Sequence, residues 1–379
     1  MPTTLTDRLC ALAREAGAPA VAPPGAVQVP GGRTGGDPVV LADRPDGTVV
    51  GLGAVVAKAH PPGSGGHAEA AEEEADAGEL TVRLRTAAHP RLSGVLLPPL
   101  GPDGTPATSP RNLYPRRLAD GRLATLWPRG TAVSPDAPEA APWQAAGALL
   151  ARLHAVPPDA LTGELSGPLP PMRGPAKAAR AMQRMRAALG TGSVPPRAPA
   201  GPALAEAART VERAWTSLPA WCRAEALPPP SRTGVLCHGG FHLGQLVGHP
   251  PPEGPWQLID VDDLGLGDPA WDLARPAAWY AAGLLHAADW NSFLSAYQHA
   301  AGLPPYDPWP RLDAPARALT TQTAALAVAK AHVSQRPLDE AEMACVEACA
   351  RIAGVERDST SGTTSTTSAV SGPSEEAGA

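Results

Sequence analysis

The second half of this chain is patterned for helices, and it breaks that pattern once, over residues 231–267. The break holds five glycines between Gly234 and Gly248 and four aspartates between Asp260 and Asp268. A mainly helical region that spends so long a stretch on Gly- and Asp-rich loop is usually holding a site there, because loops on a rigid scaffold carry binding and catalytic groups. Around the break the apolar spacing is helical. Trp143, Ala146, Leu149, Leu150 and Leu153 share one face, which predicts a helix over 139–155. Similar patterns predict helices near 175–189, 202–224, 268–286, 288–301, 313–335 and 338–353.

The first third has a different period. Short β-branched runs (Val39-Val40-Leu41, Thr48-Val49-Val50, Val55-Val56) alternate with turn signals, and Asp46-Gly47 and Asp120-Gly121 have the composition of tight hairpin turns. The second pair separates Tyr114–Leu118 from Leu123–Trp127. Between the two groups of strands, the Ala- and Glu-rich segment Ala71–Ala88 reads as a helix. These shifts divide the chain into a helical extension over 1–24, a small strand-rich lobe over 25–130, a helical lobe over 131–355 and a Ser/Thr/Gly-rich tail over 356–379 that is expected to be disordered.

Composition removes several classes of function. Thirty-one Lys and Arg stand against 37 Asp and Glu, a net charge of −6 with no long basic run, so nothing predicts nucleic-acid binding. No run of eighteen apolar residues predicts a membrane span. The first residues carry Asp7, Arg8 and Arg14 where a signal peptide needs an apolar stretch, so the expected location is cytoplasmic. Five cysteines without CxxC spacing predict free thiols and no zinc ribbon; Cys345 and Cys349, four apart on a helix, read as core packing.

The break itself reads VLCHGGFHLGQLV, followed after about ten residues by WQLIDVDDLGLGDPAWDLA. These two segments resemble the catalytic and metal-binding loops of the aminoglycoside phosphotransferase family, a branch of the bilobal kinases. The family pattern of His-Gly-Asp, four residues, then Asn is matched by His238, Gly239, Gly240 and Gln245. Its Ile-Asp metal ligand is matched by Asp260, and its Gly-Asp-Pro helix start by Gly267-Asp268-Pro269. The Leu-Gly-Gln variant looks most like the maltokinase-related members. The resemblance implies an α+β, protein-kinase-like fold of two lobes: an antiparallel sheet in the small N-terminal lobe, a larger helical C-terminal lobe, and a hinge near Trp127–Gly130.

The resemblance also implies ATP and Mg²⁺ as cofactors and transfer of the γ-phosphoryl group to a hydroxyl of a sugar, aminoglycoside or amino alcohol. Such a reaction runs on positioning and charge neutralisation, and so needs hard oxygen ligands for Mg²⁺, a lysine on the phosphates and a base at the attacking hydroxyl. Asp260 and Gln245 are the expected metal ligands. Lys58, one of only three lysines, ends the strand Ala54–Lys58 and matches the strand lysine of kinases, with Glu79 the best placed of several glutamates to pair with it. Gly35 and Gly36, in the run before Val39, are the candidate phosphate loop; Trp127 and Arg129 would flank the adenine. Asp272 would brace the loop at His238, its other reading being a first-turn aspartate that favours the helix dipole.

Gly240 stands where the family has its catalytic aspartate. His242 would substitute as base only if the backbone there is strand-like, and otherwise Asp262 or Asp263 would have to reach in. A general base contributes about 10²–10⁴-fold, so a second reading is a pseudokinase that binds nucleotide or a partner without efficient catalysis. A cationic acceptor would need an acidic cleft, to which Asp262, Asp263 and Asp289 are candidates, whereas Leu-Gly-Gln tilts towards a neutral sugar. Trp271, Trp279 and Tyr280 are candidates to stack on a sugar ring, but they fall at helical spacing and read rather as core. Nothing in the sequence indicates an oligomeric state.

Overall fold

The computed structural model describes residues 4–17, 37–44, 47–61, 69–107, 109–190 and 201–361. The chain opens with helix α1 (Leu5–Gly17), whose start is closed by a reciprocal cap: the Asp7 amide donates to Thr4 Oγ1 and the Thr4 amide to Asp7 Oδ2. Strands β1 (Val39–Arg44), β2 (Gly47–Leu52) and β3 (Val55–Ala59) follow, then helix α2 (Glu69–Ala87), β4 (Arg116–Arg117) and β5 (Leu123–Pro128). The five strands form one antiparallel sheet in the order β1-β2-β3-β5-β4.

Strand alternation gives this sheet two different faces. Val55, Ala57 and Ala59 of β3, with Ala124 and Leu126 of β5, pack under Leu9, Leu12, Ala13 and Ala16 of α1. The first helix is therefore part of the small lobe's core, where the sequence suggested an extension outside it; its i, i+3, i+4, i+7 apolar stripe needs the sheet to cover it. Lys58 and Thr125, cross-strand partners, lie on the opposite face, which looks towards the large lobe.

Past β5 the chain crosses between lobes at Gly130 and enters β6 (Thr131–Ala132). The large lobe comprises α3 (Trp143–His154), α4 (Gly174–Leu189), α5 (Pro202–Ser217), β7 (Val235–Cys237), β8 (Leu246–Gly248), β9 (Trp256–Leu258), β10 (Gly265–Gly267), α6 (Ala270–Ala281), α7 (Ala287–Ala300), α8 (Trp309–Val333) and α9 (Glu340–Ser361). Its core joins α3 to α7 and α4 to α8 around Leu150, Leu153, Met182 and Phe293, and takes in Leu80 and Leu84 of α2. Trp271 and Trp279 also belong to this core, and the half-exposed Tyr280 stacks on Trp290 and Trp309. All five cysteines are buried free thiols.

The helical lobe's five short strands form two small sheets, β6-β8-β9 and β7-β10, which hold the two ends of the glycine- and aspartate-rich segment. Helix α9 runs to Ser361, past residue 356 where the sequence change suggested the tail begins; the rest of that tail lies outside the described residues. No described helix is long and apolar enough to cross a membrane.

Candidate active site

A cleft of about 500 Å³ opens between the sheet's inner face and the large lobe, and it is lined by Lys58, His242, Gln245, Asp260, Asp262 and Asp263 among others. That volume suits a small-molecule site. Its floor is made by two loops. The first follows β7, where the buried Asp272 of α6 accepts the amides of His238 (2.6 Å) and Gly239 (2.7 Å) and also meets His154 (3.0 Å), itself 3.0 Å from the Tyr297 hydroxyl. A carboxylate taking two backbone amides fixes the loop to the helix start. His238 is buried and donates through Nε2 to the Ile259 carbonyl (2.8 Å), which ties the first loop to the second.

The second loop leaves β9 through Asp260, a non-glycine residue in the left-handed region (φ 67°, ψ 66°), and enters a short turn at Val261–Asp263. Aspartate tolerates this conformation better than most residues. The turn sends three carboxylates into the cleft. Lys58 Nζ lies 2.5 Å from Asp260 Oδ1 and 2.8 Å from Asp262 Oδ2. Burial alone would lower the Lys58 pKa, but Asp260 and Asp262 raise it above its ordinary value, so the ammonium stays charged. Burial likewise works against both carboxylates, and Lys58 outweighs it to hold Asp260 below, and Asp262 well below, the ordinary carboxylate range. His60 completes the cluster, 3.2 Å from Asp262 and 3.1 Å from Thr125.

The lysine's partners are thus loop aspartates, and Glu79 is not among them. Glu79 is engaged by Arg83 (2.9 Å), one helical turn on, and by Arg173 (2.7 Å), whose planar guanidinium forks take the carboxylate first. Trp127 and Arg129 do not line the cleft either. The Trp127 indole turns into the large-lobe core and donates to Thr125 Oγ1 (3.0 Å), while Arg129 is drawn to the β2–β3 turn. Gly35 and Gly36 lie outside the described residues; Arg44 at the end of β1 and Gly47 at the start of β2 line the cleft wall. Asp289, on α7, is not at the cleft.

The oxygen donors suit a hard divalent cation. Asp260, Asp262 and Gln245 converge, and the Gln245 amide presents Nε2 to Asp260 Oδ2 (3.3 Å) while its oxygen accepts the His242 amide (3.1 Å). A cation on Asp260 would take the amide oxygen in exchange for that contact. A second convergence of His154, Cys237 and Asp272 has the ligand types of a metal site. Burial keeps the Cys237 thiol protonated, and Asp272 already spends both oxygens on the loop, so this is a structural knot.

His242 is poorly suited to act as base. Its Nδ1 accepts the Gly244 amide (3.1 Å), so Nε2 carries the proton, and burial together with Arg275 pushes its pKa down to about 4. The space beside Gly240 is filled from elsewhere. A Cβ built on Gly240 would sit 2.7 Å from Asp263 Oδ2 and 3.4 Å from Lys177 Nζ, and Lys177 and Asp263 are themselves an ion pair. The neighbouring Gly239 has φ 80° and leaves only 2.1 Å between an added Cβ and the Asp263 carbonyl oxygen, so the two loops touch through glycine. Lys177 was missed in the sequence, although it is one of just three lysines and sits in a 173, 177, 180, 184 basic spacing that is helical.

A family model described as "Phosphotransferase enzyme family" (APH) matches residues 50–315. Comparison with curated protein sequences finds no match. Among solved structures, the chain is similar to an aminoglycoside phosphotransferase APH(4)-Ia thermostable mutant (14% identity, 87% of this chain and 96% of that one, TM-score 0.49). It is also similar to a choline/ethanolamine kinase family protein from Mesorhizobium loti (15%, 85% and 89%, 0.44) and to a macrolide 2'-phosphotransferase from Brachybacterium faecium (20%, 84% and 92%, 0.40).

Proposed function

The chain belongs to the APH phosphotransferase enzyme family, and on that premise we propose that it is an ATP-dependent kinase of a small-molecule hydroxyl in which Asp263, in place of residue 240, serves as the base. The acceptor oxygen attacks the γ-phosphorus, the bond from that phosphorus to the β–γ bridging oxygen breaks, ADP leaves, and the hydroxyl proton passes to the Asp263 carboxylate. Asp260, with Gln245 and Asp262, would hold Mg²⁺, which would supply neutralisation of the phosphate charge. Lys58 is charged and placed to hold the phosphates, and Asp272 keeps the loop amides in position.

The observation that carries this reading is the 2.7 Å between Asp263 Oδ2 and the point where a side chain at 240 would begin. A carboxylate thus occupies the base position by another route, and Lys177 holds it there. The test is Mg²⁺-dependent ADP release across a panel of hydroxyl compounds. The natural protein should show acceptor-dependent turnover that Asp260→Ala removes; undiminished turnover in that variant would sink the assignment.

A further inference from the structure

We infer that Arg83 is a positioning residue for the proposed reaction: from α2 it holds the point where the Val261–Asp263 turn ends, and so sets where Asp260, Asp262 and Asp263 present their carboxylates. This rests on the phosphotransferase reading, which gives those carboxylates their roles. The entry to the turn is tied to the first loop, since the Ile259 amide donates to the Gln245 carbonyl (2.9 Å) and the Ile259 carbonyl meets His238. The exit is held from two other elements.

Arg83, 1% exposed, donates through Nε to the Leu264 carbonyl (2.8 Å) and through Nη1 to Glu79 Oε2 (2.9 Å). The same Glu79 oxygen takes Arg173 Nη2 (2.7 Å), and the Arg173 backbone amide donates to the Asp263 carbonyl (3.1 Å). Two consecutive carbonyls at the end of the turn are thus held by two arginines that share one carboxylate. The backbone before Arg173 continues the contact: the Met172 amide donates to the Leu266 carbonyl (3.0 Å), and the Leu266 amide to the Pro170 carbonyl (2.8 Å). Leu80 and Leu84, one on each side of Arg83 along α2, are buried in the large-lobe core, so the guanidinium is delivered from a fixed helix. A planar fork can serve a carbonyl and a carboxylate at once at a set angle, whereas a lysine offers a single donor atom. Fold stability is a weak reason for a guanidinium here. Its Nη2 is buried without a partner among the described residues, and a buried ion pair adds little over an apolar side chain of similar size. Holding the turn in one geometry is what the residue supplies.

The test combines hydrogen exchange by mass spectrometry with AMP-PNP titrations at graded Mg²⁺, on the full chain and on Arg83→Met, Glu79→Ala and Glu79→Gln. Arg83→Met and Glu79→Ala should speed exchange over residues 259–267 and leave α3 as it was. In both, the Mg²⁺ concentration at the midpoint of AMP-PNP binding should rise about tenfold or more, as when other supports of a metal ligand are removed, while metal-free AMP-PNP binding stays within about twofold. Glu79→Gln keeps an amide oxygen that can accept from both guanidinium groups, and it should restore much of both properties. Glu79 is partly exposed, so its two variants decide the matter if Arg83→Met does not fold. Unchanged exchange over 259–267, a rise spread equally over α3, or an unmoved Mg²⁺ midpoint would overturn the inference. Failure of the natural protein to bind AMP-PNP would instead count against the phosphotransferase reading, and the exchange comparison would still decide whether Arg83 holds the turn.

Discussion

At the scale of single residues, the site turns on two that depart from expectation, Gly240 and His242. The imidazole is held neutral by burial and by Arg275, with Nδ1 spent on the Gly244 amide. Its depressed folded pKa of about 4 against an ordinary value of 6.5 has a definite sign. Below pH 6.5 the unfolded chain takes up a proton that the folded chain refuses, so stability falls as pH drops towards 4. At pH 5 the loss is about 2 kcal/mol. Asp260 and Asp262 act in the same direction, but only at lower pH, through the ordinary carboxylate range and below. His242→Asn keeps a side chain able to cap the turn and should flatten the dependence between pH 7.5 and 5 in urea unfolding. An equal slope in the variant would mean that His242 titrates normally.

At the scale of elements, what could be read from the sequence was what periodicity carries. The hairpins, α2 and the seven later helices follow from alternation and apolar stripes, and the strand lysine follows from its order in the chain. The partner of that lysine does not, because Glu79 and Asp262 compete and the outcome depends on where Arg173 and the Val261–Asp263 turn come to rest. The left-handed backbone at Asp260, which brings Asp263 beneath Gly240, leaves no trace in an Asp-Val-Asp-Asp run. Helix α1 is the element whose placement the sequence misjudged. Its Leu9 is fully buried against the sheet, so Leu9→Ala should cost about 2–5 kcal/mol in denaturant unfolding. An unchanged unfolding midpoint would return α1 to the status of an appendage.

At the scale of the whole molecule, the two lobes divide the work. The small lobe presents Lys58 and His60 on the inner face of its sheet, the large lobe presents the braced loops and the basic face of α4, and the Lys58–Asp260 and Lys58–Asp262 pairs join them. Nine Lys and Arg side chains line the cleft although the chain's net charge is −6, and in the sequence only the helical spacing of residues 173–184 foreshadows part of that lining. The central claim is that the reacting carboxylate has moved from one loop to the other, and it is tested most directly by moving it back. Mg²⁺-dependent ADP release should be compared, with one acceptor, in the natural protein, Asp263→Asn, Gly240→Asp and the double variant. Turnover should fall about 10²–10⁴-fold in Asp263→Asn. It should recover in large part when Gly240→Asp is added, and it should not rise in Gly240→Asp alone, where two carboxylates crowd one position. Turnover that appears only in Gly240→Asp, or that survives Asp263→Asn undiminished, would contradict the account: the first result would describe a silenced kinase, the second a base located elsewhere.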